Sequence, residues 1–205
     1  MTALQQAANK TGYNEQGFIV KHAAVSKENG SVMFQNNKVG VENQGLDNGC
    51  TGTGDCVNVP VYSLDTYVEK FVPEGRSINH LSVDVEGYDY QVLLGGNKTL
   101  RRVHYLEFEY NWMGPWKTQP LSEAIEYLDK EFGFVCYWPG FDNTIWRITN
   151  CWLDHYNIHF WSNVACVNRN FAEANEIAEN MESMFLDTLK RGGDAVRDFE
   201  HRFHN

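Results

Sequence analysis

One stretch decides the fold of this chain: Leu81-Ser82-Val83-Asp84-Val85-Glu86-Gly87-Tyr88-Asp89-Tyr90-Gln91-Val92-Leu93-Leu94-Gly95-Gly96. Hydrophobic residues alternate from Leu81 to Val85, as in a short buried strand, and Gly87 permits a tight turn. After the turn, Val92 and Leu93 can face a sheet from a helix. The stretch therefore predicts a strand, a turn and a helix, which is the repeating unit of an open α/β sheet.

Three acidic residues crowd this strand-to-helix corner: Asp84, Glu86 and Asp89. Ligands of open α/β sheets bind at the carboxyl ends of the strands, where this corner lies. Carboxylates so close together repel one another, which is tolerable at a solvated helix N-terminus or beside a cation or donor-rich ligand. Both interpretations stay open at this point: an acidic helix start without chemistry, or a ligand site.

The rest of the chain predicts an α/β domain over residues 1–170, followed by a C-terminal helix and tail over 171–205. Strands are expected at 17–25, 31–34, 57–61, 79–85, 103–109, 133–137 and 163–168. Ser63 is placed to cap one helix, and a second helix runs from Pro120 to Gly133. A third helix, capped by Asn170, carries a stripe of Met and Phe, and the tail beyond Gly193 is expected to be weakly ordered.

Three motifs follow one another in an order that matches a known family: Ser63-Leu64-Asp65-Thr66-Tyr67, then Asp84-Val85-Glu86-Gly87 with its helix, then Leu106-Glu107-Phe108-Glu109. Together they resemble the later half of the FkbM-type methyltransferase family. Upstream, Ala23-Ala24-Val25-Ser26 resembles the start of a hairpin in that family. The resemblance covers the chain from about residue 4 to about residue 167. It implies a Rossmann-like class I sheet with helices on both faces, and S-adenosylmethionine as the cofactor.

The resemblance also implies roles for individual residues. Asp84 and Glu86 match the acids of the family's strand motif, and Glu109 matches the acid after the next strand, so these three are the candidate catalytic residues. Ala24, Ser26 and Asp84 are the candidate cofactor-binding residues. A carboxylate here could accept a proton, bind acceptor hydroxyls or hold a divalent cation, and the sequence does not choose among these roles.

Candidate substrate-binding residues follow the next strand: Glu107, Asn111, Trp112 and Trp116. Glu107 is also the alternative to Glu109, because the two-residue repeat leaves the alignment open. The aromatic loop suits a sugar-like or flat acceptor, and Trp138, Trp146, Trp152 and Trp161 would extend that surface. The alternative is that these aromatic residues only cover the edge of the sheet.

Before Leu4 the chain has no counterpart of the family's first strand, its Gly-rich loop, or the second strand with its ribose-binding acid. We therefore expect a sheet that is incomplete at the N-terminus, with residues 4–12 as the helix after the missing second strand, and only weak cofactor binding by residues 1–205. The glycine-rich run Gly49–Cys56 does not replace the missing loop, because a strand rather than a helix is predicted after it.

Composition limits the possible partners. The net charge is −10 and the pI about 5.1, which argues against a nucleic-acid partner because phosphate binding needs clustered Lys and Arg. No apolar run approaches the ~18 residues of a membrane span, and the localisation stays open. The expected partner is a small-molecule or glycan acceptor.

Five cysteines are an odd number at no zinc-finger spacing. Cys50 and Cys56 could close a small loop, but free thiols are the favoured expectation, with Cys136 and Cys166 buried in strands. Cys151, His155 and His159 recur every four residues, yet their aromatic and β-branched neighbours favour a loop and strand over a zinc-binding helix. No metal ligand is assigned.

The first hypothesis is a fragment of a methyltransferase that acts on an oxygen of a sugar, lipid or small metabolite, with the fragment by itself expected to be inactive. The alternatives are a non-catalytic module that binds the acceptor, and a carbohydrate-binding protein unrelated to methyl transfer.

Overall fold

The computed structural model describes residues 3–13, 15, 17–36, 50, 55–141, 143–159 and 162–200. The eight strands in these ranges are β1 (Ala24–Ser26), β2 (Gly30–Gln35), β3 (Cys56–Ser63), β4 (Ile78–Val83), β5 (Val103–Tyr110), β6 (Phe134–Pro139), β7 (Ile145–Arg147) and β8 (Ser162–Asn168). The helices are α1 (Ala3–Thr11), α2 (Leu64–Phe71), α3 (Asp89–Leu94), α4 (Asn97–Leu100), α5 (Leu121–Phe132), α6 (Asn175–Lys190) and α7 (Ala195–Glu200). The α/β class predicted from the sequence is confirmed.

The strands form two sheets. The large sheet has the order β4-β5-β8-β6-β7, in which β4 and β5 are parallel and the remaining neighbours are antiparallel. The small sheet has the order β1-β3-β2, with β1 parallel and β2 antiparallel to β3. Because β4 and β5 run in the same direction, the loops that leave their carboxyl ends meet at one edge.

Local sequence explains several element boundaries. The Ser63 hydroxyl accepts a hydrogen bond from the Thr66 backbone N–H at 3.2 Å, so Ser63 caps α2 as predicted. Gly133 has φ +81 and ends α5 in the left-handed conformation that glycine adopts without strain. Both ends were predictable because the residues that set them are adjacent in sequence.

Other boundaries differ from the expectation. The first strand is only Ala24–Ser26 rather than 17–25, and β7 was not predicted because three residues show no alternation. The last long helix begins at Asn175, not at Asn170. Asn170 does not cap it, because its side-chain amide donates to the Phe132 carbonyl at 2.8 Å and so joins β8 to the end of α5.

The core lies around the large sheet. It contains a disulfide, whereas free thiols were expected from the sequence. Cys136 in β6 stands directly opposite Cys166 in β8, with the two Cα atoms 4.0 Å apart, and the pair is a fully buried disulfide. Cys50 and Cys56 are also paired, and Cys151 is the free thiol of the described part. The antiparallel register that brings Cys136 to Cys166 cannot be read from the sequence.

Some predictions fall outside the described residues. These are the prediction for the glycine-rich run at residues 49 and 51–54, the one for Trp161, and the end of the tail at 201–205. The described part of the tail differs from the expected weak order, because Ala195–Glu200 form α7 and Asp198 accepts a hydrogen bond from the Trp146 indole N–H at 3.0 Å. Among the described helices, none combines the length and apolar character needed to cross a membrane.

Candidate functional site

The acidic corner is built by two parallel strands that end side by side. Ser82 in β4 is in register with Glu107 in β5, so the next residues on the same face, Asp84 and Glu109, come to the same edge of the sheet. Asp84 directly follows β4, and Glu109 is the second-last residue of β5. The predicted meeting of these acids at the carboxyl edge thus follows from the parallel pairing.

The turn after β4 is held in an unusual backbone conformation. Glu86 has φ +56 and Gly87 has φ +93. A Cβ atom at Gly87 would lie 2.5 Å from the backbone C and O of Met113, in the loop that leaves β5. The two loops therefore pack backbone to backbone, and only glycine fits at this contact.

A cleft of about 480 Å³ separates this corner from the small sheet. Asp84, Val85 and Glu86 line one side, and Asp84 is exposed while Glu86 is half-buried. The rest of the lining is mostly apolar and comes from the small sheet and the residues just before it: Ala23, Ala24, Val25, Phe34, Val57 and Val59, together with His22. The cleft thus presents carboxylates on one wall and a hydrophobic surface on the other.

Two further acids lie buried behind the cleft. Asp89, the first residue of α3, is fully buried, and Glu109 is 6% exposed. The Glu109 backbone N–H donates to Asp89 Oδ1 at 3.3 Å. The Asn111 side-chain amide donates to Glu109 Oε2 at 2.6 Å. These contacts join the start of α3, the end of β5 and the following loop into one hydrogen-bonded unit.

Burial changes the acidity of both groups. The pKa of Asp89 rises to about 7, mainly because burial disfavours its charged form; its own backbone N–H and that of Glu109 oppose the rise, and the charges of Glu109 and Asp84 add to it. The pKa of Glu109 is also raised, first by burial and then by the charges of Asp84 and Glu86, with the Asn111 hydrogen bond acting against both. The acids of this corner therefore interact electrostatically.

Two candidate substrate-binding residues lie in the core instead of on the rim. Trp116 and Asn111 are fully buried. The Trp116 indole N–H donates to the Glu109 carbonyl at 3.0 Å, and its ring stacks on Tyr90 with centroids 5.8 Å apart. Packing so many aromatic residues beside β5 removes more apolar area from water than a rim position would. Both therefore contact Glu109 from within the core, whereas Trp112 is 48% exposed.

Two other predicted residues also lie apart from the cleft wall. The Glu107 carboxylate accepts from the Asn163 amide at 2.8 Å and lies 4.0 Å from His80, on the face of the sheet. Ser26 lines a separate hollow with Tyr88 and Gln91. Glu109, rather than Glu107, is hence the acid of β5 that is coupled to Asp84 and Glu86. Trp138 and Trp146 are buried as well and do not extend the rim.

Sequence reasoning missed two parts of the site. It counted Asp89 among the acids of the corner but gave it no role, although Tyr90 and Val92 beside it indicated a buried helix start. It also missed the apolar wall of Phe34, Val57 and Val59. The alternation of Val57, Val59 and Val61 was a signal of one hydrophobic face, but nothing in the sequence connects that face to Asp84.

The described residues contain no group of three His, Cys, Asp or Glu side chains placed to hold a metal ion. The zinc ligands considered from the sequence make other contacts. Cys151 accepts a hydrogen bond from Arg147 at 3.2 Å, and the His159 ring nitrogen lies 2.7 Å from the Trp116 carbonyl oxygen.

Comparison with known proteins adds one finding. Neither a search of curated proteins nor a search of solved structures returned a match. The family model of the methyltransferase FkbM domain matches residues 4–136, which include the small sheet, the acidic corner and β5. Since that match spans well over half of the chain, the protein belongs to the FkbM methyltransferase family.

Proposed function

We propose that this protein transfers a methyl group from S-adenosylmethionine to an oxygen atom of a sugar, lipid or small-metabolite acceptor. Methyl transfer itself follows from the family. The observation that supports the rest is the cleft, with Asp84 and Glu86 on one wall and Phe34, Val57 and Val59 on the other. Carboxylates accept hydrogen bonds from hydroxyl groups. The wall with Asp84 and Glu86 therefore favours a methyl acceptor that is rich in hydroxyl groups over an anionic one.

The cleft residues fit two parts of the proposed cofactor, its flat base and its positively charged group. The apolar wall near Ala24 offers a surface for a flat base, and the carboxylates of Asp84 and Glu86 complement a positively charged group. When bound, the cofactor supplies an electrophilic methyl group. The chain's own residues must then place the acceptor oxygen in line with that methyl and remove its proton.

Asp84 is the first candidate for the base, because its carboxylate is exposed on the cleft wall. Glu109 is the second candidate, since burial raises its pKa and a higher pKa makes a carboxylate a stronger base. Glu86 is proposed to bind acceptor hydroxyls from the same wall. Trp112, exposed on the loop after β5, is proposed to pack against the acceptor's ring face.

The same proposal extends to the fold. We take the large sheet to be part of a Rossmann-like class I methyltransferase sheet with helices on both faces. The parallel pairing of β4 with β5, and the acids at their carboxyl ends, support this assignment.

The test is methyl transfer by the full-length protein to a panel of hydroxylated acceptors, with radiolabelled S-adenosylmethionine. Asp84→Asn is expected to lower turnover by about 100-fold, the usual size of general-base loss. Glu179→Gln, an exposed acid on α6, is the matched control and should leave turnover unchanged. Wild-type turnover in each of Asp84→Asn, Glu86→Gln and Glu109→Gln, with the fold intact by circular dichroism, would overturn the assignment.

A further inference from the structure

Asp89 is a buried titratable group that the proposed reaction does not use. It begins α3, and its Oδ1 accepts the backbone N–H of Glu109 from the neighbouring strand at 3.3 Å. Its Oδ2 is buried and has no hydrogen-bond partner among the described residues. An apolar residue in this place would fill the space without burying a polar atom that lacks a partner.

The hydrogen bond to Glu109 connects Asp89 to the second of the two candidate bases. Glu109 pairs with Asn163 of β8 and has side-chain partners on both sides: Asp89 accepts from its backbone N–H, Trp116 donates to its carbonyl, and Asn111 donates to its side chain. The bonds from Trp116 and Asn111 come from the loop that leaves β5. The bond to Asp89 anchors Glu109 to α3, the element that follows Asp84 and Glu86.

We propose that Asp89 is a positioning residue for Glu109: its buried carboxyl fixes the end of β5 against the start of α3 and so sets where the Glu109 carboxylate lies behind the cleft. The inference rests on the proposed function for its catalytic consequence. Its structural content, the dependence of Glu109 on Asp89, can be tested without any acceptor.

Asp89 positions Glu109 best when its carboxyl group is protonated and neutral. An ionised carboxylate would bury a negative charge on Oδ2, which has no donor among the described residues, and would add a fourth charge to Asp84, Glu86 and Glu109. The titratable groups whose charge acts on Asp89 are Glu109 from β5 and Asp84 from the end of β4, and both are acids. With the pKa of Asp89 at about 7, the neutral form dominates below neutral pH and is lost above it.

Asp89→Asn and Asp89→Ala separate the possible roles of this carboxyl. Asparagine keeps the shape and the oxygen that accepts from Glu109 but cannot ionise, whereas alanine removes the acceptor. Asp65→Asn is the matched control. Asp65 also accepts hydrogen bonds from backbone N–H groups, those of Lys98 and Thr99 at the start of α4, but it does not line the cleft.

The first measurement is the pH titration of the side-chain carboxyl carbons by ¹³C NMR in the full-length protein. We expect the Glu109 resonance of Asp89→Ala to move and to titrate differently from wild type. In Asp89→Asn the resonance should keep its wild-type position at low pH and lose the inflection near neutral pH that Asp89 causes. In Asp65→Asn it should be unchanged. A Glu109 titration that is the same in Asp89→Ala and wild type would overturn the proposal.

The second measurement is the pH profile of turnover. Asp89→Ala is expected to lower kcat by on the order of 10-fold to 100-fold with little change in KM, the size expected when a reacting group is displaced by about 1 Å. Asp89→Asn should retain wild-type kcat below neutral pH. Equal losses in both variants would show a structural role only and overturn the proposal. If the NMR result holds but no variant or wild-type protein transfers methyl groups, the proposed function fails while the positioning role stands.

Discussion

The two sheets of this protein differ in how they are packed, and the site lies where they meet. In the large sheet, the side chains of Leu106, Phe108, Val164 and Val167 are completely buried, and a disulfide joins β6 to β8. In the small sheet, Met33 is 47% and Val57 is 37% exposed. The large sheet is thus tightly packed and is called the platform below. The small sheet is partly exposed and has a hydrophobic face toward the cleft, and it is called the wall below.

The four acids of the corner divide in the same way. Asp89 and Glu109 belong to the packed side and are buried, while Asp84 and Glu86 face the cleft. The platform therefore positions the acids, and the wall forms the opposite side of the cleft. Changes to the platform should therefore cost stability, and changes to the wall should chiefly alter binding.

The largest loss of stability is expected from Gly87→Ala. A Cβ at this position would lie 2.5 Å from the Met113 backbone, and φ is +93, so the variant should lose about 4 kcal/mol of unfolding free energy in urea denaturation. Gly75→Ala is the control: φ is +73 there but nothing lies within 4 Å, and a loss of about 1 kcal/mol is expected. Equal losses would mean that the contact between the loops does not matter.

The two disulfides provide the next comparison. The Cys136–Cys166 bridge of the platform has a sequence separation of 30, and its loss in Cys136→Ala/Cys166→Ala should cost about 3.5 kcal/mol by loop-closure entropy. The Cys50–Cys56 bridge, with a separation of 6, should cost about 2 kcal/mol when both of its cysteines are replaced by alanine. Mass spectrometry of alkylated, non-reduced protein verifies both bridges, and urea unfolding measures the costs. A larger loss for the small-sheet bridge would reverse the assignment of platform and wall.

Stability should also depend on pH through Asp89. Its pKa is about 7 in the folded protein, above the unfolded value, so the folded state binds the proton more tightly. The stabilisation is complete below the unfolded pKa of about 3.8 and is lost as pH rises through 7.

The contribution of Asp89 to the free energy of unfolding should fall by about 2–3 kcal/mol between about pH 5 and about pH 8. Urea unfolding of wild type and Asp89→Asn at both pH values measures it, because asparagine removes the dependence. An identical pH dependence in the two proteins would show that Asp89 is not the group that titrates.

The smallest effects come from a matched pair of valines. Val164→Ala in the fully buried part of the platform should cost about 2 kcal/mol, since two methyl groups leave a cavity that cannot collapse. Val57→Ala in the wall should cost less than about 1 kcal/mol. Isothermal unfolding curves suffice for both. A greater loss at Val57 would show that the wall is part of the structural core.

Sequence reasoning succeeded where the determining residues are close together in the chain. The alternation from Leu81 to Val83, the Ser63 cap and the Gly133 helix end each depend on a few adjacent positions. It failed where burial depends on distant partners. From the sequence, Trp116 was predicted to lie on the rim, because it belongs to an aromatic loop that follows a strand. In the structure its ring stacks against those of Tyr90 and Phe108.

The sequence by itself determined the strand, turn and helix around Asp84, the glycine at the turn and the order of motifs that marks the family. These are local properties, because side-chain alternation and backbone freedom act over a few residues. Only the tertiary structure decided which acids are buried, which cysteines pair, and that Phe34 and Val57 face Asp84 across a cleft. The physical reason is that burial and electrostatic coupling depend on distances between atoms, and segments far apart in sequence set those distances.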